Sequence, residues 1–279
     1  MYRTVAMITI PLLLAACGDE AGSGTLRLTT YGEDFIEEEI PSGAGGGEGF
    51  TDGYSVKYSK FLVAFSALTV AHRDGTVAGE VQGPLVFDLH PRGPHLIKQL
   101  DSVGARRWDR VSVSVKPASG ASAGNAVSAA DLKLMQDGSY SVYVEGAATK
   151  GTAHHSFKWG FSTSTHYSEC QEKTYGEGIV VPSGGSATVE FTVHGDHLFY
   201  DDLQSSDPSL RFEAVAKADA NGDGEVTLDE LAKVDLTTLP IGQYGTGGSG
   251  SVKNLRQFVE ALSRTLIHYQ GEGHCHSGS

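Results

Sequence analysis

Before Asp207, most of the chain alternates apolar and polar residues with a period of two, the signature of strands that bury one face. Thr25 to Tyr31 (TLRLTTY), Arg110 to Lys116 (RVSVSVK), Ser139 to Glu145 (SYSVYVE) and Ser156 to Phe161 (SFKWGF) all carry this pattern. Ser186 to Val193 (SATVEFTV) places Ala187, Val189, Phe191 and Val193 on one face, the pattern of an antiparallel strand with one side in a core. Tyr54 to Ala71 is longer, mostly apolar and rich in β-branched and aromatic residues, which predicts two strands or one bent strand. The turn pairs Asp74-Gly75 and Asp137-Gly138 and the run Ser183-Gly184-Gly185 separate these segments, and Ser42 to Gly49 forms a glycine-rich loop.

The period changes after Asp207. Asp207-Pro208 has the form of a helix N-cap followed by proline in the first turn, and Leu210, Ala214, Val215 and Ala218 recur at helical spacing. Leu231 and Val234 continue a short apolar face up to Pro240, and Gly245 to Gly250 is a flexible link. A second helix is expected from Ser251, with Leu255, Phe258, Val259, Leu262, Leu266 and Ile267 as its buried stripe.

Composition agrees with a strand-rich fold. The 279 residues include 36 Gly and only 9 Pro, a profile of many short strands joined by turns. The expected fold is mainly β, an antiparallel β-sandwich with a smaller C-terminal α-helical segment. The formal net charge of −13 argues against nucleic acid as a partner and is compatible with binding of metal cations.

The first residues read as an export signal. A single cation, Arg3, precedes the apolar run Val5 to Leu14, which is too short to span a bilayer as a helix and ends in Ala15-Ala16-Cys17. Leu14-Ala15-Ala16-Cys17 resembles the lipobox of bacterial lipoproteins. That resemblance implies cleavage before Cys17, lipidation of its sulfur and new amino terminus, and anchoring to a membrane of the cell envelope, periplasmic or outer surface. The expected organisation is a signal peptide over 1–16, a tether over 17–24, a β domain over 25–203 and a helical segment over 204–279.

The most specific motif is Asp219 to Glu230, Asp-Ala-Asn-Gly-Asp-Gly-Glu-Val-Thr-Leu-Asp-Glu, which fills every specified place of D-x-[DN]-x-[DN]-G-x₅-E. Calcium takes six to eight hard oxygen ligands, and a tightly coiled loop supplies them from alternate residues. The segment resembles EF-hand loops. The resemblance implies side-chain ligands from Asp219, Asn221 and Asp223, the carbonyl of Glu225, water held by Thr227 and both carboxylate oxygens of Glu230. Gly224 takes the sharp turn. EF-hands usually come in pairs and no second loop is present in the sequence, so a structural role for calcium is expected rather than a sensor role.

With Cys17 assigned to lipid, Cys170 and Cys275 remain, and in an oxidising compartment two thiols can pair. Both also lie near histidine, so metal ligation stays open. Of eleven histidines, seven fall at His154-His155, at His166 near Cys170, at His194-Gly195-Asp196-His197 and at His274-Cys275-His276. Paired strands that brought His155, His166 and His197 together would make a copper or zinc site. Tyr54-Ser55-Val56, Asp74-Gly75 and the aromatic strand Phe157-Lys158-Trp159 resemble periplasmic copper-associated proteins of the MbnP type, a resemblance from which no ligands are carried over.

No H-E-x-x-H or P-loop motif occurs, and catalysis is not expected. The leading expectation is a non-enzymatic, calcium-binding envelope lipoprotein. The alternative is a periplasmic transition-metal protein that uses histidines of the β domain.

Overall fold

A computed structural model of the chain describes residues 22–43, 48–125, 127–172 and 176–278. The signal segment and Cys17 lie outside the described residues. Among the described residues no helix is long and apolar enough to cross a membrane.

The protein is mainly β. The larger sheet has eleven strands and runs, in spatial order, Gly176–Glu177, Thr165–Glu172, Arg110–Val115, Ser55–Ala71, Val142–Lys150, Ala153–Phe161 and Glu225–Val226, with the remaining strands at its flanks. The four-stranded sheet runs Ile267–Tyr269, Ser186–Val193, Ser23–Gly32 and His95–Gly104. Both sheets contribute to one buried cluster that includes Leu26, Leu28, Val189 and Phe191 from the smaller sheet and Phe61, Val63, Val144 and Trp159 from the larger. At its centre Phe157 stacks on Trp159, with ring centroids 4.6 Å apart, and meets Tyr58, Phe199 and Phe212 at 5.9 to 6.3 Å.

Several expected elements change form for identifiable reasons. Tyr54 to Ala71 is one strand, Ser55–Ala71, bent where Ala67 takes a positive φ of 48° and the register against Arg110–Val115 slips between Ser66 and Thr69. Such a bulge lets a seventeen-residue strand curl around the core. Ser186–Val193 does bury Val189, Phe191 and Val193, but it runs parallel to Ser23–Gly32 and antiparallel only to Ile267–Tyr269. Alternation reports a one-sided strand and is blind to the direction of its neighbour. The first strand begins at Ser23, inside the stretch expected as tether. A helix over Ala129–Asp137 stands where the sequence reading placed only the Asp137-Gly138 turn, capped by the Ser128 hydroxyl, which accepts from the Asp131 N–H.

The segment 204–279 does not stand apart as a helical unit. Around Leu210 the backbone is extended: the Thr51 N–H donates to the Leu210 carbonyl and the Arg211 N–H to the Phe199 carbonyl. These bonds displace the helix start expected at Asp207-Pro208. A short helix forms only over Glu213–Ala216, where the distant carboxylate of Asp52 accepts from the Phe212 and Glu213 N–H groups at 2.6 and 2.7 Å. The later helix spans Leu255–Leu262, capped by Asn254, and buries Leu255, Phe258, Val259 and Leu262. Ile267, expected on its stripe, instead enters the strand that closes the smaller sheet.

Cys170 and Cys275 are joined by a disulfide across 105 residues of chain, beside the pairing of Thr165–Glu172 with His274–Gly278. Cross-linking residues so far apart restricts the unfolded chain strongly. Replacing both cysteines by serine is expected to cost about 2–4 kcal/mol of stability, read from urea denaturation. Non-reducing peptide mapping of the native protein should recover the bridged peptides, and two free thiols would contradict the bridge.

Candidate metal sites

The loop 219–230 is coiled by its own polar side chains. Asp219 accepts from the Gly222 N–H at 2.8 Å and the Gly224 N–H at 3.0 Å, Asn221 accepts from the Asp223 N–H at 2.9 Å, and Asp223 accepts from the Glu225 N–H at 2.8 Å. Gly222 and Gly224 take φ values of 72° and 83°, the left-handed region where a side chain would be strained. Thr227 caps the short helix Leu228–Leu231, and Glu230 returns the interaction by accepting from the Thr227 N–H and hydroxyl at 3.0 and 2.9 Å. Hydrogen bonds from Thr227 hold the Glu230 carboxyl below its ordinary pKa, with a further contribution from the Ala220 backbone.

The main sheet positions this loop. Glu225–Val226 pairs in parallel with Ser156–Phe157, the Ser156 N–H donates to the Gly224 carbonyl at 2.7 Å, and the Trp159 indole donates to the Val226 carbonyl at 2.8 Å. Val226 is fully buried. The loop's candidate donors, three carboxylates, one amide and a backbone carbonyl, are all oxygens, but Asp219, Asp223 and Glu230 do not form a convergent group of metal-type ligands among the described residues.

The three histidines considered together in the sequence occupy different settings. His155 lies beside the loop 219–230, with Nδ1 at 3.6 Å from Asp219 Oδ2. His166 hydrogen bonds to the Ser114 hydroxyl at 3.0 Å on the larger sheet. Neither belongs to a convergent group of metal-type ligands among the described residues, whereas His197 does.

That group comprises His194, Asp196 and His197, whose ligand atoms all lie within 4.8 Å of one another. A second group joins Glu33, His194 and Glu272. The segment sits where Ser186–Val193 ends and a 3₁₀ turn over Asp196–Phe199 begins. Tyr58 anchors it by donating to the Gly195 carbonyl at 2.6 Å. A Cβ at Gly195 would meet Ile36 at 2.6 Å and Tyr58 at 2.8 Å, so only glycine allows the segment to lie this close to the core. His268, on the strand Ile267–Tyr269, brings its ring to 4.2 Å from that of His194 and 5.1 Å from that of His197, centroid to centroid. The group lines an open cleft of about 1090 Å³.

Burial sets the charge states here. Burial, together with His194 and His268, pushes the His197 pKa well below the ordinary imidazole value, favouring the neutral ring. Burial raises Asp196, against the pull of His194 and a hydrogen bond from Tyr200. Glu33 is pushed up to about 7 by burial and by the carboxylates of Glu272, Asp196 and Asp34.

From sequence, His194-Gly195-Asp196-His197 was visible as a cluster, but only His197 was placed in a site. The i, i+3 histidine pair around an aspartate was the available signal. Glu33 and His268 carried none, because they reach the cleft from opposite ends of the chain. Comparison with protein-family models, with curated proteins and with solved structures finds no match to this chain.

Proposed function

We propose that the protein is a non-enzymatic lipoprotein of the bacterial cell envelope that binds one calcium ion in the loop 219–230, the ion acting mainly as a structural clip. The two sheets are taken as the halves of a β-sandwich, and the short helices Glu213–Ala216 and Leu228–Leu231 as reduced EF-hand flanks. The observation that carries the reading is the parallel pairing of Glu225–Val226 with Ser156–Phe157, in a loop already coiled by Asp219, Asn221 and Asp223. EF-hand loops ordinarily lean on a second loop, and here the sheet is the neighbour. Flanking helices of four residues each leave little to swing open, which favours a clip over a sensor.

Isothermal titration of the full chain with calcium tests the reading. One site per chain is expected, and no uptake at millimolar calcium would overturn it. The lipoprotein part is tested separately by Cys17→Ala, which should abolish labelling with a palmitate analogue and release the protein from membranes. Labelling that persists in the variant would remove that part.

A further inference from the structure

The cleft at the end of Ser186–Val193 has features that calcium binding does not use. Nε2 of His194 and Oδ1 of Asp196 are both buried and without a hydrogen-bond partner, in residues only 7% and 9% exposed. A buried polar atom left unpaired is costly, and a buried carboxylate more so, unless something with positive charge meets it. A second polar atom of each of the three side chains is engaged by a neighbour. Nδ1 of His194 faces Oε2 of Glu33 at 3.2 Å. Nδ1 of His197 lies 2.9 Å from the Thr265 carbonyl, an oxygen that can only accept, so Nδ1 carries the proton and the lone pair is on Nε2. Oδ2 of Asp196 accepts from the Tyr200 hydroxyl at 3.0 Å.

This is how metal-binding imidazoles are held. One ring nitrogen is pinned by a carboxylate or carbonyl, which fixes the tautomer and turns the other nitrogen toward the ion. We propose that His194, Asp196 and His197 bind a divalent transition ion of the zinc class, with Glu33 and the Thr265 carbonyl orienting the two imidazoles and a further coordination position open to the cleft. Tetrahedral zinc with bonds of 2.0–2.1 Å places its ligand atoms about 3.3 Å apart. Each of the three residues offers a ligand atom within 4.8 Å of the other two, so that spacing is reached by movements of about 1.5 Å or less. Two nitrogens and one carboxylate oxygen suit zinc and its neighbours in the first transition row, whereas calcium prefers oxygen alone. The ring of His268, 4.2 Å from that of His194, is the nearest further imidazole for the open position.

The test uses the full chain purified without a histidine tag, titrated with zinc chloride and, for spectroscopy, with cobalt(II) chloride. One zinc per chain is expected, retained against a hundredfold excess of calcium, and cobalt should give the visible absorption of a low-coordinate nitrogen–oxygen site. His197→Ala and His194→Ala should abolish both signals, while His166→Ala leaves them unchanged. Glu33→Gln should weaken zinc by about 10–100-fold with the fold retained by circular dichroism, so a poorly folding histidine variant does not spoil the test. Glu230→Gln, which bears only on calcium, should leave zinc binding intact. Wild-type protein that takes up no zinc, or zinc binding indifferent to His194, His197 and Glu33 alike, would overturn the proposal whatever the outcome with calcium.

Discussion

Glu230→Gln is expected to lower calcium affinity by at least about tenfold, ~1.4 kcal/mol, with little change in the metal-free fold. In the proposed site the glutamate would supply the last two oxygens of the shell, and glutamine keeps the size while losing the charge and one strong oxygen. It also keeps one acceptor for the Thr227 N–H, so the helix cap survives in weakened form. Calcium that binds only the folded loop stabilises the protein by about 2.7 kcal/mol at one hundred times its dissociation constant. For a chain of this size that corresponds to a rise in Tm of roughly 5–10 °C. Melts of wild type and variant, with calcium and with chelator, measure the effect. A variant that gained as much from calcium as wild type would exclude Glu230 from the site.

Trp159→Ala should destabilise the protein by about 3–5 kcal/mol, a large part of the ~5–15 kcal/mol that holds a typical domain folded. The indole is fully buried, stacked on Phe157, and donates to the Val226 carbonyl, so its loss opens a cavity and removes one of the loop's ties to the sheet together. Trp159→Phe separates the two effects. It retains most of the packing but leaves the Val226 carbonyl without its donor, for about 1–3 kcal/mol. Because that carbonyl adjoins the Glu225 carbonyl expected to face calcium, Trp159→Phe should also weaken calcium binding, whereas a core change remote from the loop such as Leu28→Ala should not. Urea denaturation curves with calcium titrations on each variant check this, and equal calcium affinity in Trp159→Phe and wild type would uncouple sheet from loop.

Strand character was legible where apolar and polar residues alternate, as in Ser186–Val193 and Arg110–Val115, because alternation is a local consequence of the pleat, though the second face of each also buries a polar residue, Thr192 and Ser114. The oxygen-rich loop was legible for the same kind of reason: its candidate ligands are contiguous, and its turns are made by glycines and Asx side chains within twelve residues. Helix limits were not. The helix expected from Pro208 lost its first turn to backbone pairing with Thr51 and Phe199, and its replacement starts where Asp52, some 160 residues away in sequence, supplies the cap. Propensity is a weak local term and tertiary hydrogen bonds override it. The parallel course of Ser23–Gly32 beside Ser186–Val193 was equally hidden, since a strand's pattern does not record its neighbour's direction.

The cleft marks the same division. Histidine and aspartate at 194, 196 and 197 are properties of the sequence, and so is their closeness to one another. That each offers a ligand atom within 4.8 Å of the other two, that Glu33 and Thr265 hold the imidazoles and that His268 stands beside them was decided only when the first strand, the end of Ser186–Val193 and the strand Ile267–Tyr269 came together. Ligand chemistry is carried by residue type, but its convergence depends on contacts between segments far apart in the chain, and only the packed core determines those.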